Sequence, residues 1–233
     1  MIDRRIKVTL VLGQAGLTTE QCGQRLAQII SRVNPSNCAL VRLQQLEENK
    51  PQLQGLCLCC RMHTELSAQL RGLFMQALQK KREPFSHVIV MARPETDPAN
   101  ILHTLNNDFF LKERFVYEDA LCILDAQSSS ILVKSEDEID VLGLRHYQEL
   151  ATQLLAADLI VIDGLHDAVA QEHCLLAIKN YLRQKCEHNP AWVMPYLLTS
   201  EGLSLQGYKQ YIEQRVKQGV QHRITHRPTR LFT

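Results

Sequence analysis

Short runs of aliphatic and β-branched residues alternate along this chain with longer stretches whose apolar positions return every three or four residues. The run at residues 6–12, closed by Gly13, predicts a buried strand, and Leu26, Ile29, Ile30 and Val33 predict a helix over 20–33. Asn34 to Asn37, with Pro35 among them, break that helix before a second strand over 38–43. Leu66, Leu70, Leu73, Phe74, Ala77 and Leu78 mark a fourth element, an amphipathic helix with Thr64 as its N-cap. Residues 87–92 form the strongest strand signal, and Asp97 followed by Pro98 predicts a capped helix start. Strands over 120–125 and 159–163 flank a helix over 146–156. A helix over 169–186, a strand over 192–199 and a polar helix over 205–217 complete the pattern. Strands alternating with helices of this length imply an α/β fold whose sheet is mostly parallel and covered by helices on both faces.

Composition narrows the classes. With 233 residues, 45% of them hydrophobic, the chain can bury one substantial core. Its 26 basic and 25 acidic residues nearly cancel, so no broad field points to a nucleic-acid or membrane partner, and neither is expected. The amino terminus lacks the apolar length and small-residue cleavage site of a leader, and no apolar run is long enough to span a bilayer. A cytoplasmic protein is expected. Of eight cysteines, Cys22, Cys38, Cys122, Cys174 and Cys186 stand singly in apolar or helical surroundings, where a free thiol ordinarily packs.

Two stretches carry candidate chemistry. The turn from Gly13 to Thr19 joins a strand to a helix, the context in which backbone amides cradle phosphate. Cys57-Leu58-Cys59-Cys60 places three thiols within four positions ahead of the expected helix. Thiolates suit zinc or copper(I) over magnesium and calcium. In extended chain Cys57 and Cys59 point the same way and Cys60 turns back through a bend, so three ligands on one ion are feasible, with a fourth position open. His63, three residues on, is a candidate to close it, although an exposed helix-start histidine is the plainer reading. The plain alternative for the trio itself is three small buried side chains.

Taken in order, Gly16 with Thr18-Thr19, Cys57-Leu58-Cys59-Cys60, Asp97-Pro98, Asp125-Ala126 and Ala157-Asp158 resemble the nucleotide-binding domain of the CobW-type P-loop GTPases, which are implicated in metal delivery. The resemblance runs from about Ile6 to Thr199. It implies a three-layer P-loop fold over residues 1–205, with 206–233 as a C-terminal helical segment and tail in place of the family's second domain. It also implies degenerate nucleotide contacts at Gly16, Thr18 and Thr19, a metal site at Cys57, Cys59 and Cys60, and a client protein as partner.

The departures from that pattern are specific. Leu17 stands where the family's phosphate-binding lysine belongs, and Val11 where its first glycine belongs. The hydroxyl for magnesium is retained at Thr18, but the charge that neutralises phosphate is lost. Met91-Ala92-Arg93-Pro94 replaces the acidic switch segment, and Asp163-Gly164-Leu165-His166 replaces the base-reading motif. Binding energy, chemistry and specificity are weakened together. Efficient GTP hydrolysis is therefore not expected, and weak nucleotide binding at a helix N-terminus stays open.

Arg93 is a candidate for the missing charge, though a solvated loop arginine is the default. Glu47 and Glu48 fall near acidic positions of the family's metal site and otherwise read as a charged loop. His222 and His226 read as part of an extended tail, and Asp163, His166 and Asp167 as a capping loop. Three readings follow: a zinc-binding metal handler without competent GTPase activity, a divergent GTPase that still binds nucleotide and magnesium, and an interaction scaffold. Client and oligomeric state, homo-oligomer included, stay open.

Overall fold

Six strands form one wholly parallel sheet in the order β2-β3-β1-β4-β5-β6. The computed structural model describes residues 5–13, 17–33, 37–43, 58–93, 95–125, 141–164, 167–187 and 193–218. The strands are β1 (Ile6–Gly13), β2 (Asn37–Arg42), β3 (Phe85–Met91), β4 (Phe115–Asp125), β5 (Leu159–Asp163) and β6 (Tyr196–Thr199). The helices are α1 (Leu17–Val33), α2 (Leu58–Leu78), α3 (Pro98–Asn107), α4 (Phe109–Arg114), α5 (Val141–Ala156), α6 (Ala168–Cys186) and α7 (Leu205–Lys217). None of the described helices is long and apolar enough to cross a membrane.

Alternation along each strand sorts the side chains onto two faces. Val8, Leu10 and Leu12 of β1 pack with Val88 and Val90 of β3 beneath Leu66 and Leu70 of α2, Ile101 of α3, Leu154 of α5 and Ile178 of α6. Val11, Ile89 and Leu121 face the other way, beneath Leu26 and Ile30 of α1 and Tyr208 and Tyr211 of α7. Each large side chain buried in this way contributes about 1.5–3 kcal/mol. The expected two-sided α/β architecture is therefore the observed one.

Several boundaries differ from the sequence reading. β4 begins five residues before 120, because a bulge lies between the Val8–Tyr117 and Thr9–Asp119 pairs. Glu118 is the extra residue, so the inward positions change parity from Phe115 and Tyr117 to Ala120, Cys122 and Leu124, and no single alternation spans the strand. α2 begins at Leu58, well ahead of Thr64, since no proline or glycine interrupts the chain there and Met62, Leu66 and Leu70 bury one face. α1 begins at Leu17 rather than at residue 20, so Leu17, Thr18 and Thr19 form its first turn. β6 begins only at Tyr196, directly after Pro195, which has no N–H for a ladder. Asp97 caps α3 as expected, its Oδ1 accepting from Ala99 N at 2.9 Å, with Pro98 as the first helical residue.

Below the carboxyl edge a polar network ties α7 to the middle of the sheet. Asp119 is fully buried and accepts from the Thr9 hydroxyl and from Tyr211 Oη at 3.0 Å, while Arg215 Nη1 lies 3.5 Å away. His87 Nε2 stands 2.8 Å from Thr9 Oγ1. Because the Thr9 proton is given to Asp119, the imidazole donates through Nε2, and burial holds its pKa below the ordinary histidine value.

Candidate functional site

The helices that follow β1 and β4 leave for opposite faces of the sheet, α1 to one and α5 to the other. Such a switch between neighbouring strands opens a crevice at their carboxyl ends, where ligands bind in open α/β sheets. Gly13, Arg42, Arg93, Asp125 and Asp163 all lie at or just past strand ends on this edge.

Gly13 is required by geometry. Its φ of +137° suits glycine alone, and a Cβ there would sit 2.5 Å from the Ile123 carbonyl oxygen of β4. The chain leaves the sheet at Gly13 and α1 begins at Leu17, its amino terminus carrying the partial positive charge of the helix dipole. Thr18 belongs to this first turn and Thr19 is buried, whereas Gly16 lies outside the described residues. No lysine stands at the helix entry; Leu17 does.

Arg42 and Arg93 on this edge are engaged by carboxylates, while Arg25 Nη1 donates to Ser200 O at 3.3 Å. Arg42 Nη2 meets Glu20 Oε1, from the first turn of α1, at 2.7 Å. Arg93 corrects the expectation of a solvated loop residue, since it is only 7% exposed. Its Nη2 is 3.9 Å from Glu65 Oε2 of α2 and its Nε is 3.6 Å from Glu95 Oε1, and Nε has no hydrogen-bond partner among the described residues. Two carboxylates therefore share one guanidinium. A buried arginine persists only where such partners offset its desolvation, and Glu65 comes from a helix that the local sequence around Arg93 does not reveal.

Cys59 and Cys60 fall within the first turn of α2, not in extended chain before it, while Cys57 lies outside the described residues. The bend proposed for Cys60 is replaced by helix, and positions 59 and 63, or 60 and 63, are spaced as neighbours on a helix face. His63 is half-buried in the second turn rather than exposed at a helix start. No cluster of three metal-binding side chains occurs among the described residues, which exclude Cys57, Glu47 and Glu48.

Asp163 and Asp125 end adjacent strands as register partners. Asp167 accepts from Ala170 N at 3.0 Å and caps α6, as expected. His166, His222 and His226 lie outside the described residues. The single cysteines pack, as the sequence suggests. Burial pushes the thiols of Cys22 and Cys38 up to about 11 and that of Cys122 to about 12, so they remain protonated.

Comparison with known proteins places this geometry. The model of the CobW/HypB/UreG nucleotide-binding domain matches residues 9–192. Among solved structures, the zinc-bound YjiA GTPase from E. coli is similar at 14% identity and a TM-score of 0.43, over 74% of this chain and 54% of that one. The hydrogenase maturation factor HypB from Archaeoglobus fulgidus shows 12% identity and a TM-score of 0.43, covering 90% of this chain and 87% of its own. PAB0955, a GTPase in apo form from Pyrococcus abyssi, shows 12% identity and a TM-score of 0.40 over 91% of this chain and 96% of that one. The chain thus spans about half the length of YjiA. No curated protein matches it in sequence.

Proposed function

Because the chain belongs to the CobW/HypB/UreG nucleotide-binding family, whose domain model covers residues 9–192, we propose that it handles zinc through Cys57, Cys59 and Cys60 without being a competent GTPase. The observation that carries this reading is the treatment of charge at the crevice. Leu17 occupies the lysine position, and Arg93, a buried cation just past the carboxyl end of β3, is held by Glu65 and Glu95. Among the described residues, Arg42 and Arg93 are thus committed to carboxylates rather than to a triphosphate, and the α1 amino terminus alone supports weak anion binding at most.

The donor set fits a soft divalent ion. Three thiols within four positions supply ligands that zinc prefers, and the half-buried imidazole of His63 lies one helical turn beyond Cys59 and Cys60. Zinc here is cargo, with His63 as the residue that completes or vacates the fourth position. A client protein is the proposed recipient.

Two measurements on the full chain test this. Metal analysis after zinc loading should give about one ion per chain, lost when Cys57, Cys59 and Cys60 are together changed to serine. Calorimetry with magnesium and GTP should give no tight binding. Unchanged zinc content in the serine variant removes the metal site; tight GTP binding removes the pseudo-GTPase reading and makes the chain a divergent GTPase.

A further inference from the structure

The end of the molecule away from the crevice carries an unusual surface. The last turns of α2 lead into β3 and α4 leads into β4, so both present themselves at the amino ends of the strands. Here Phe109 is 79% exposed, Leu78 66% and Met75 43%, three large apolar side chains on two helices that pack together. Arg71, Met75 and Leu78 follow one another at spacings of four and three along α2 and form one stripe.

The patch is stiff. Phe110 packs edge-on against Phe74 with ring centroids 5.4 Å apart, and Phe74 meets Phe115 in the same manner at 6.5 Å. Asp108, immediately before Phe109, holds Arg71 of α2 through both carboxylate oxygens. The exposed ring of Phe109 therefore projects from a junction of three helices that pays little ordering entropy on binding.

The patch is also cationic. Residues 71–82 contain Arg71, Lys80, Lys81 and Arg82 and no carboxylate, and Lys112 and Arg114 add to them from α4. The nearby acids are few: Asp108 is paired to Arg71, Glu83 accepts from Asn37, and Glu113 stands between the two α4 cations. Arg71 lies over Phe110 at 5.3 Å, Lys112 over Phe109 at 5.4 Å and Arg114 over Phe74 at 5.7 Å.

We propose that this surface, formed by α2 and α4 around Phe109, Met75 and Leu78, docks an acidic amphipathic segment of a partner protein. Charge complementarity selects that occupant. A second copy meeting the patch about a two-fold axis would set cation against cation. For single-stranded nucleic acid, Phe74, Phe109 and Phe110 each have one ring face already taken by a cation and unavailable to a stacked base. An acidic helix with apolar residues along one side satisfies both halves of the patch, filling the apolar stripe while its carboxylates meet the surrounding cations.

The test uses the full chain and a labelled helical peptide with leucines along one face and glutamates on the others, followed by fluorescence anisotropy. A version with glutamine for glutamate and a single-stranded polyuridine serve as comparison probes. The acidic peptide should bind, the glutamine version should bind far more weakly, and raised salt should weaken the complex. Phe109→Ser should weaken it about tenfold, and the double change Lys80→Glu with Lys81→Glu by at least as much. All three side chains are exposed, so thermal melts of these variants should match the parent. Absence of peptide binding, binding indifferent to these substitutions, or polyuridine binding that depends on them in the peptide's place would each overturn the proposal.

Discussion

Asp108 is where three helices meet, and removing its charge should cost stability in a manner that reports on pH. It accepts from the amides of Phe110 and Leu111 at the start of α4, from Ser67 Oγ at 2.9 Å, and from Arg71 Nη2 at 2.8 and 2.9 Å. Burial works against the carboxylate, but the Arg71 guanidinium, the two amides and the Ser67 hydroxyl outweigh it and bring its pKa down to about 2 from an ordinary 3.8. A carboxyl whose pKa is depressed on folding stabilises the protein above its unfolded value and loses that contribution as pH falls through the folded one. The displacement corresponds to about 2 kcal/mol at neutral pH, an upper figure because the Arg71 side chain is 48% exposed and partly screened.

Asp108→Asn keeps an oxygen able to cap α4, removes the charge, and turns the acceptor that meets Ser67 and Arg71 into a donor. At pH 7 the variant should be less stable by up to about 2 kcal/mol, which for a chain of this size moves a urea midpoint by up to about 0.7 M. The gap should shrink to about half by pH 3, where the parent carboxyl begins to protonate. Urea unfolding of both proteins across this range measures it. Equal midpoints at pH 7, or a gap independent of pH, would refute the assignment of a charge-stabilised junction.

Two further substitutions test backbone geometry with opposite signs. Gly13→Ala puts a Cβ against the Ile123 carbonyl oxygen at a φ of +137°, and should cost at least about 2 kcal/mol; an unchanged melting temperature would contradict the close approach of Gly13 to β4. Lys80 adopts a φ of +57° at the end of α2, where Lys81 N reaches Gln76 O at 2.9 Å and Lys80 N reaches Ala77 O at 3.1 Å, a helix-ending pair of bonds that ordinarily uses glycine. Lys80→Gly should therefore raise stability by about 1 kcal/mol, read as a higher melting temperature, and a lower one would sink the argument.

Elements whose signals are local were legible from the residues alone. Apolar periodicity placed β1, β3, β5 and α7, and short-range chemistry placed the start of α3, because Asp97 accepts from an amide only two residues away. The order of motifs was enough to point to the family that the domain match at residues 9–192 establishes. It also exposed the loss of the phosphate-binding lysine, since that is a matter of residue identity at Leu17.

Tertiary structure decided where charge could be buried. Asp119 is fully buried because Thr9 and Tyr211, 110 and 92 residues away, supply its hydrogen bonds. The bulge at Glu118 that turns Asp119 toward them also broke the alternation from which the length of β4 is read. Arg93 looked solvated because Pro94, Glu95 and Asp97 surround it in sequence, whereas Glu65 reaches it from α2 across the fold. Periodicity records which side chains avoid water; which charges can join them depends on partners that only the packing of distant elements brings together.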